Sequence, residues 1–293
     1  MGKNRISWWL GSLAGLIAVG AIIYLLPPYF SGEKTISALW LDWQGIKLHW
    51  YGMFLALGVL IGWLWLEKTS QKFSWRHQIV DLVAITALGG IIGARLLFVI
   101  LKFPEFIGQW LNIFNITTGG LSIHGALLGG GLALWWFCRK KHLPFWEIID
   151  QMTVAVVLGQ MLGRWGNFFN QEAFGGPTDL PWKMYVDVIH RPIGLEAQSF
   201  FHPTFLYEII GLGILLAGLL LVRRQQFKIK TSTMFLIYLL GYSLLRFGIE
   251  FYRIDSDYWG YLTVAQWGSL VIMAGAIIGL ILKYRDDHYI NHN

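Results

Sequence analysis

Apolar stretches of about 20 residues recur along the chain, and each is broken by a short polar loop. A helix rises about 1.5 Å per residue, so each stretch is long enough to cross the roughly 30 Å of hydrocarbon in a bilayer. Eight spans are predicted: Ile6–Leu26, Leu48–Leu66, Ile79–Leu101, Leu121–Phe137, Phe145–Leu162, Thr204–Val222, Thr233–Phe251 and Leu262–Leu282. The predicted fold class is an all-α polytopic membrane protein, a bundle of about eight transmembrane helices. One connection is long: Trp165–Pro203 mixes Gly, Pro, Asn, His and charges of both signs, and is predicted to form a small extracytoplasmic cap. No repeated halves are visible, which weakens a reading as a transporter built on inverted repeats.

Composition agrees with this pattern. Hydrophobic residues make up 55% of the 293 positions and charged residues 14%, where soluble domains carry about a quarter charged. A water-soluble globule is excluded. The single cysteine, Cys138, leaves no intrachain disulfide and no multi-cysteine zinc site.

A net charge of +6 would fit nucleic acid, but the basic residues sit in loops between spans. Lys3, Arg5, Lys68, Lys72, Arg76, Arg139, Lys140, Lys141, Arg223, Arg224, Lys228, Lys230, Lys283 and Arg285 share one side; Lys34, Lys47, Lys102, Lys183, Arg191 and Arg253 share the other. The richer side faces the cytoplasm, so both termini are expected there. The basic start and apolar run could be a cleavable leader, but the run is long and ends in Leu26-Pro27-Pro28 without small residues. An uncleaved helix is expected.

Three arginines, Arg95, Arg164 and Arg246, fall within spans or at their edges, and Arg95 and Arg246 need carboxylates, phosphates or water beside them. Tyr242, Arg246, Glu250 and Arg253 follow spacings of four, four and three, one face of a helix. A self-neutralising Arg246–Glu250 pair is the simpler alternative. At the outer end of the fifth span, Arg164, Asn167, Asn170, Glu172 and Gly175 crowd into a turn. Guanidinium there presents a planar fork of donors suited to lipid phosphate.

Three histidines share the outer level. His124, among Gly119, Gly120 and Gly125, is better placed to reach a ligand than His49, whereas His202 before Pro203 reads as a helix entry. Asp81 and Asp150 near helix starts suit structural use, and Gly89-x-x-x-Gly93 and Gly275-x-x-x-Gly279 suit close helix packing. With orientation fixed from the loops alone, Tyr51, Arg95, His124, Arg164, Asn167, Glu172, His202, Arg246, Glu250 and Arg253 fall in one outer layer. Such a layer fits an enzyme acting on lipid headgroups. The rival class is an anion channel or transporter using the intramembrane arginines.

Residues Gly163 to Gly175, G-R-W-G-N-F-F-N-Q-E-A-F-G, resemble the signature of bacterial prolipoprotein diacylglyceryl transferases, G-R-x-G-N-F-x-N-x-E-x-x-G, with every fixed position present. Further matches are His49-Trp50-Tyr51-Gly52, Gly119 through Gly125, Asp150, His202-Pro203-Thr204 with Leu206-Tyr207-Glu208, and Arg246 through Arg253. The resemblance covers residues 45 to 285. It implies seven spans, so the helix in 1–44 is an addition before a transferase domain, 45–293, with 165–203 as an extracytoplasmic head.

The chain departs from the family at Ile254, where Pro is common, at Ala126, where a second Gly is common, and after Arg95, where tyrosines are absent. The resemblance further implies a transferase of the bacterial cytoplasmic membrane with its active site toward the outer leaflet. It would move the diacylglyceryl group of phosphatidylglycerol to the lipobox cysteine of a prolipoprotein signal peptide, with no metal or organic cofactor and no nucleic acid. Arg164 and Arg246 would hold the phosphodiester and His124 would be the base. Tyr51, Asn167, Asn170, Glu172, Gly175, Tyr242, His202, Glu250 and Arg253 would shape the substrate site.

Overall fold

The computed structural model describes residues 26–43, 46–115, 119–224 and 229–290. The predicted first span, up to residue 25, lies outside them. Each of the other seven predicted spans is a helix: α1 (Trp50–Thr69), α2 (Ile79–Leu101), α3 (Ile123–Lys140), α4 (Phe145–Asn170), α5 (Thr204–Arg223), α6 (Thr233–Ile249) and α7 (Val264–Ile290). Five of these, α1, α2 with its preceding turn, α4, α5 and α7, are long and apolar enough to cross a membrane. The chain is a multi-pass, mostly helical membrane protein.

The helix ends follow local chemistry. α2 stops before Phe103-Pro104, where proline cannot continue the ladder. Ser122, in extended conformation, caps α3 by accepting the Gly125 N–H at 3.4 Å. α6 borrows its cap from another helix: the buried Asp150 carboxylate accepts the N–H groups of Ser232 (2.5 Å) and Phe235 (2.9 Å).

By backbone contacts the chain divides into two compact units. The second, residues 55–162, 212–242 and 272–293, has a core of Leu66, Trp75, Ile79, Leu82, Leu134, Phe137, Cys138 and Ile148. The lone cysteine is thus a buried packing residue. α2 and α3 meet through glycines, as the Gly89 and Gly93 spacing predicts. A Cβ on Gly93 would stand 2.7 Å from the Gly129 Cα, so any larger residue would force the backbones apart. The Gly275 spacing is only half used: a Cβ on Gly279 would press on Leu236, while one on Gly275 would meet nothing within 4 Å.

The first unit is residues 1–54, 163–211 and 243–271. Its core is aromatic: Phe168, Phe174, Met184, Val186, Phe201 and Phe205, with Tyr29 and Phe30 of the helical turn Pro27–Phe30 packed on it. Three antiparallel two-stranded ribbons complete it. They are β1 (Leu39–Trp43) with β2 (Ile46–His49), β3 (Met184–Tyr185) with β4 (Phe200–Phe201), and β5 (Tyr258–Trp259) with β6 (Leu262–Thr263).

Candidate active site

The signature residues lie on the end of α4, which runs past the expected stop at Leu162 to Asn170. Polar side chains one turn apart satisfy each other there, so nothing breaks the helix: Arg164 Nη1 donates to Asn167 Oδ1 at 2.9 Å. The helix then closes in a Schellman turn. The Gln171 N–H donates to Phe168 O (3.1 Å) and the Glu172 N–H to Asn167 O (3.0 Å), with Gln171 left-handed at φ 49°. Glycine usually takes that position. Here the buried Gln171 side chain is used, its Oε1 accepting the Asp187 N–H at 2.6 Å.

This turn folds Glu172 back over the helix end. Its Oε1 accepts from Asn167 Nδ2 at 2.8 Å and from Asn170 Nδ2 at 3.4 Å. From α5, Glu208, only 2% exposed, stands 3.0 Å from Arg164 Nε. Glu208, Arg164, Asn167, Glu172 and Asn170 form one continuous chain of polar contacts.

Two glycines have evident reasons. A Cβ on Gly166 would enter the Tyr51 ring, placing its Cε2 at 3.0 Å. One on Gly175 would lie 2.7 Å from both the His202 Cβ and the Tyr252 carbonyl oxygen. Gly175 is pinned there, its N–H donating to His202 O at 2.9 Å while Gly176 N–H donates to Tyr252 O at 2.8 Å. Gly163 faces open space, and nothing in the structure explains glycine there.

Arg246 pairs with Glu250 through Nη2 and Oε2 at 2.7 Å, the contact the spacing allowed for. The predicted four-residue stripe holds only in part. α6 ends at Ile249, and Arg253 follows a turn in which its N–H donates to Glu250 O at 3.3 Å. Arg253 instead forms a fork with Asp255, at 2.9 and 2.6 Å. Burial works against its charge, but the Asp255 carboxylate, with Glu208 and Glu250, outweighs that and holds its pKa above the usual arginine value.

Both central ion pairs are close in distance yet poorly aligned. Arg164 Nε and Arg246 Nη1 are buried and donate to nothing among the described residues. Arg246 is therefore held through Nη2 and keeps Nη1 unspent, whereas the Arg164 Nε faces the Glu208 carboxylate off-line.

His202 bonds through Nδ1 to Tyr207 Oη at 3.0 Å, and Tyr207 accepts from Trp182 Nε1 at 2.8 Å. Burial lowers the His202 pKa. Tyr51, Arg164, Asn167, Asn170, Glu172, Gly175, His202, Arg246, Glu250 and Arg253 all belong to the first unit. His124 and Tyr242 belong to the second. His124 is exposed at the start of α3, and Tyr242 stacks on Tyr238 at 5.9 Å.

Glu208 is the residue that reading the sequence left out of the site. A carboxylate in the second turn of an apolar helix was the available signal. Arg95, for which carboxylate, phosphate or water is expected, donates among the described residues to backbone carbonyls.

The family model for prolipoprotein diacylglyceryl transferase matches residues 38–282. Similar curated proteins are phosphatidylglycerol–prolipoprotein diacylglyceryl transferases of cyanobacteria. That of Synechocystis sp. is 44% identical over 245 residues, 82% of this chain and 87% of the relative. That of Synechococcus elongatus is 40% identical over 82% and 84% of the two chains, and that of Gloeobacter violaceus 40% over 87% and 94%. The matches favour a transferase over a channel. With the intact signature folded into one polar network on α4, this chain belongs to the prolipoprotein diacylglyceryl transferase family.

Proposed function

We propose that this chain transfers the diacylglyceryl group of phosphatidylglycerol to the lipobox cysteine of a prolipoprotein signal peptide. The lipobox sulfur attacks the glyceryl carbon, the C–O bond to phosphate breaks, and glycerol phosphate leaves with the electron pair. The observation that carries the reading is the pair of guanidinium groups fixed by carboxylates and amides, Arg164 by Glu208 and Asn167 and Arg246 by Glu250, with the Arg246 Nη1 donor buried and unspent. Such donors grip a phosphodiester and stabilise the charge that grows on it as the bond breaks, without reorganising at that moment.

A free thiol with a pKa of about 8.5 is mostly protonated at neutral pH, so a base must take the proton. The His124 imidazole fills that role. Tyr51, Asn167, Asn170 and Glu172 orient the glycerol headgroup, with Gly175 allowing close approach. Tyr242, His202 and Arg253 line the rest of the substrate site.

The bacterial cytoplasmic membrane holds the protein with both termini inside and the site toward the outer leaflet, as the distribution of Lys and Arg supports. Residues 165–203 form the extracytoplasmic head of the transferase domain 45–293, and residues 1–44 add a further membrane helix. Purified protein given phosphatidylglycerol and a lipobox peptide should release glycerol phosphate in step with loss of free thiol. Thiol loss without glycerol phosphate would refute the reaction.

A further inference from the structure

The connection between α2 and α3 has its polarity inside out. Arg95 Nε donates to Ile113 O at 2.8 Å, its Nη1 to Gly119 O and Gly120 O at 3.0 and 2.9 Å, and its Nη2 to Asn112 O. Its guanidinium also lies over the Phe98 and Phe106 rings, at 5.7 and 5.3 Å. An intramembrane cation is thus satisfied by the main chain of the loop that follows its own helix. The side chains of that loop point the other way: Ile107, Trp110, Leu111 and Phe114 are exposed, Leu111 at 85% and Phe114 at 82%.

Depth follows from the backbone. The Ser122 N–H donates to Ala94 O at 3.0 Å, and Ala94 precedes the end of α2 at Leu101 by a helix length of about 10 Å. The chain at Ser122 therefore lies beside the last turns of α2, and the Arg95 bonds to Asn112 O and Ile113 O tie the end of the preceding segment to the same turns. Those turns present Leu96, Ile100 and Leu101 outward, all exposed and apolar, so hydrocarbon reaches this level. Lys102 and Glu105 pair at 3.3 Å, which cancels the formal charges at the start of the segment.

We propose that residues 103–114 form a re-entrant segment whose outer face lies among lipid acyl chains just below the headgroups, held there by Arg95. Phe103–Phe106 and Trp110–Phe114 are single 3-10 turns that satisfy part of their own backbone; at membrane depth the remaining polar groups must be met by protein, and the Arg95 clamp does this for the carbonyls of Asn112 and Ile113. The occupant is bilayer lipid. Apolar side chains dominate the exposed face, its two exposed amides, Asn112 and Gln109, bond to each other at 2.6 Å, and the face continues the lipid-facing surface of α2. This inference does not depend on the proposed reaction.

The test is collision accessibility of nitroxide labels in phosphatidylglycerol-containing vesicles. Single cysteines would be placed at Leu111, Phe114 and Glu196 in a Cys138→Ala background. Labels at 111 and 114 should be relaxed by oxygen and lose access to a water-soluble nickel chelate, with the reverse at 196. Nickel access at 111 and 114 equal to that at 196 would overturn the proposal. So would protection from both reagents that appears only with lipobox peptide, which would assign the face to the peptide. In folded Arg95→Gln protein the shielding at 111 and 114 should be lost; unchanged shielding would remove Arg95 as the clamp.

Discussion

Arg164 is the residue on which most of the site depends. It is fixed by Glu208 at 3.0 Å and Asn167 at 2.9 Å. Arg164→Ala should lower transfer on the order of a hundredfold or more, about 3 kcal/mol of lost transition-state stabilisation. The same change strands the Glu208 carboxylate in the interior, so the assay belongs on protein shown to be monodisperse. Full activity in such protein would remove the phosphate role.

His202 makes a different, pH-linked prediction. Burial lowers its folded pKa, so the unfolded chain takes up the proton first. Its contribution to stability is complete above the ordinary histidine pKa and is lost as pH falls toward the folded value. Between about pH 7.5 and 5.5, the melting temperature in detergent should fall more for wild type than for His202→Gln. Equal falls would show that the Tyr207-bonded ring is not the linked group.

At the scale of elements, seven spans were legible because hydrophobic run length maps directly onto membrane thickness. The same signal misplaced the end of α4. Arg164 and Asn167 interrupt the apolar run and read as loop, yet one turn of helix brings them into a mutual hydrogen bond. Polarity marks where lipid contact stops, not where a helix must. α6 shows the converse limit. The spacing of Arg246 and Glu250 gave their pair correctly, but α6 ends at Ile249, so Arg253 lies off the helix, in a turn whose Tyr252 carbonyl accepts from Gly176 N–H.

Asp150 was assigned to structural use from its place near a helix start. What the linear pattern could not reveal is that it caps α6, some 80 positions later in the chain, rather than its own helix. Asp150→Ala leaves two backbone donors unmet and should cost about 1–3 kcal/mol, read as a shifted unfolding midpoint. Asp150→Asn should recover part of the loss. No shift in either variant would contradict the cap.

At the scale of the whole molecule, composition excludes a soluble protein, and the signature in Gly163–Gly175 is specific enough to point to the family. Glu208 escaped notice because its importance is a matter of distance: 44 positions from Arg164 in the chain, it stands 3.0 Å away in the fold. The choice of Gly175 likewise became intelligible only where His202 and Tyr252 crowd it. The matched residues and the polar network around Arg164 together support one claim, that this chain attaches diacylglycerol to a peptide thiol.

That claim is tested most directly by mass spectrometry of a lipobox peptide incubated with the purified protein and phosphatidylglycerol of defined acyl chains. The account predicts a mass increase on the cysteine that tracks the chains supplied and vanishes when that cysteine is replaced by serine. An unmodified peptide, under conditions where an authentic transferase modifies it, would contradict the account.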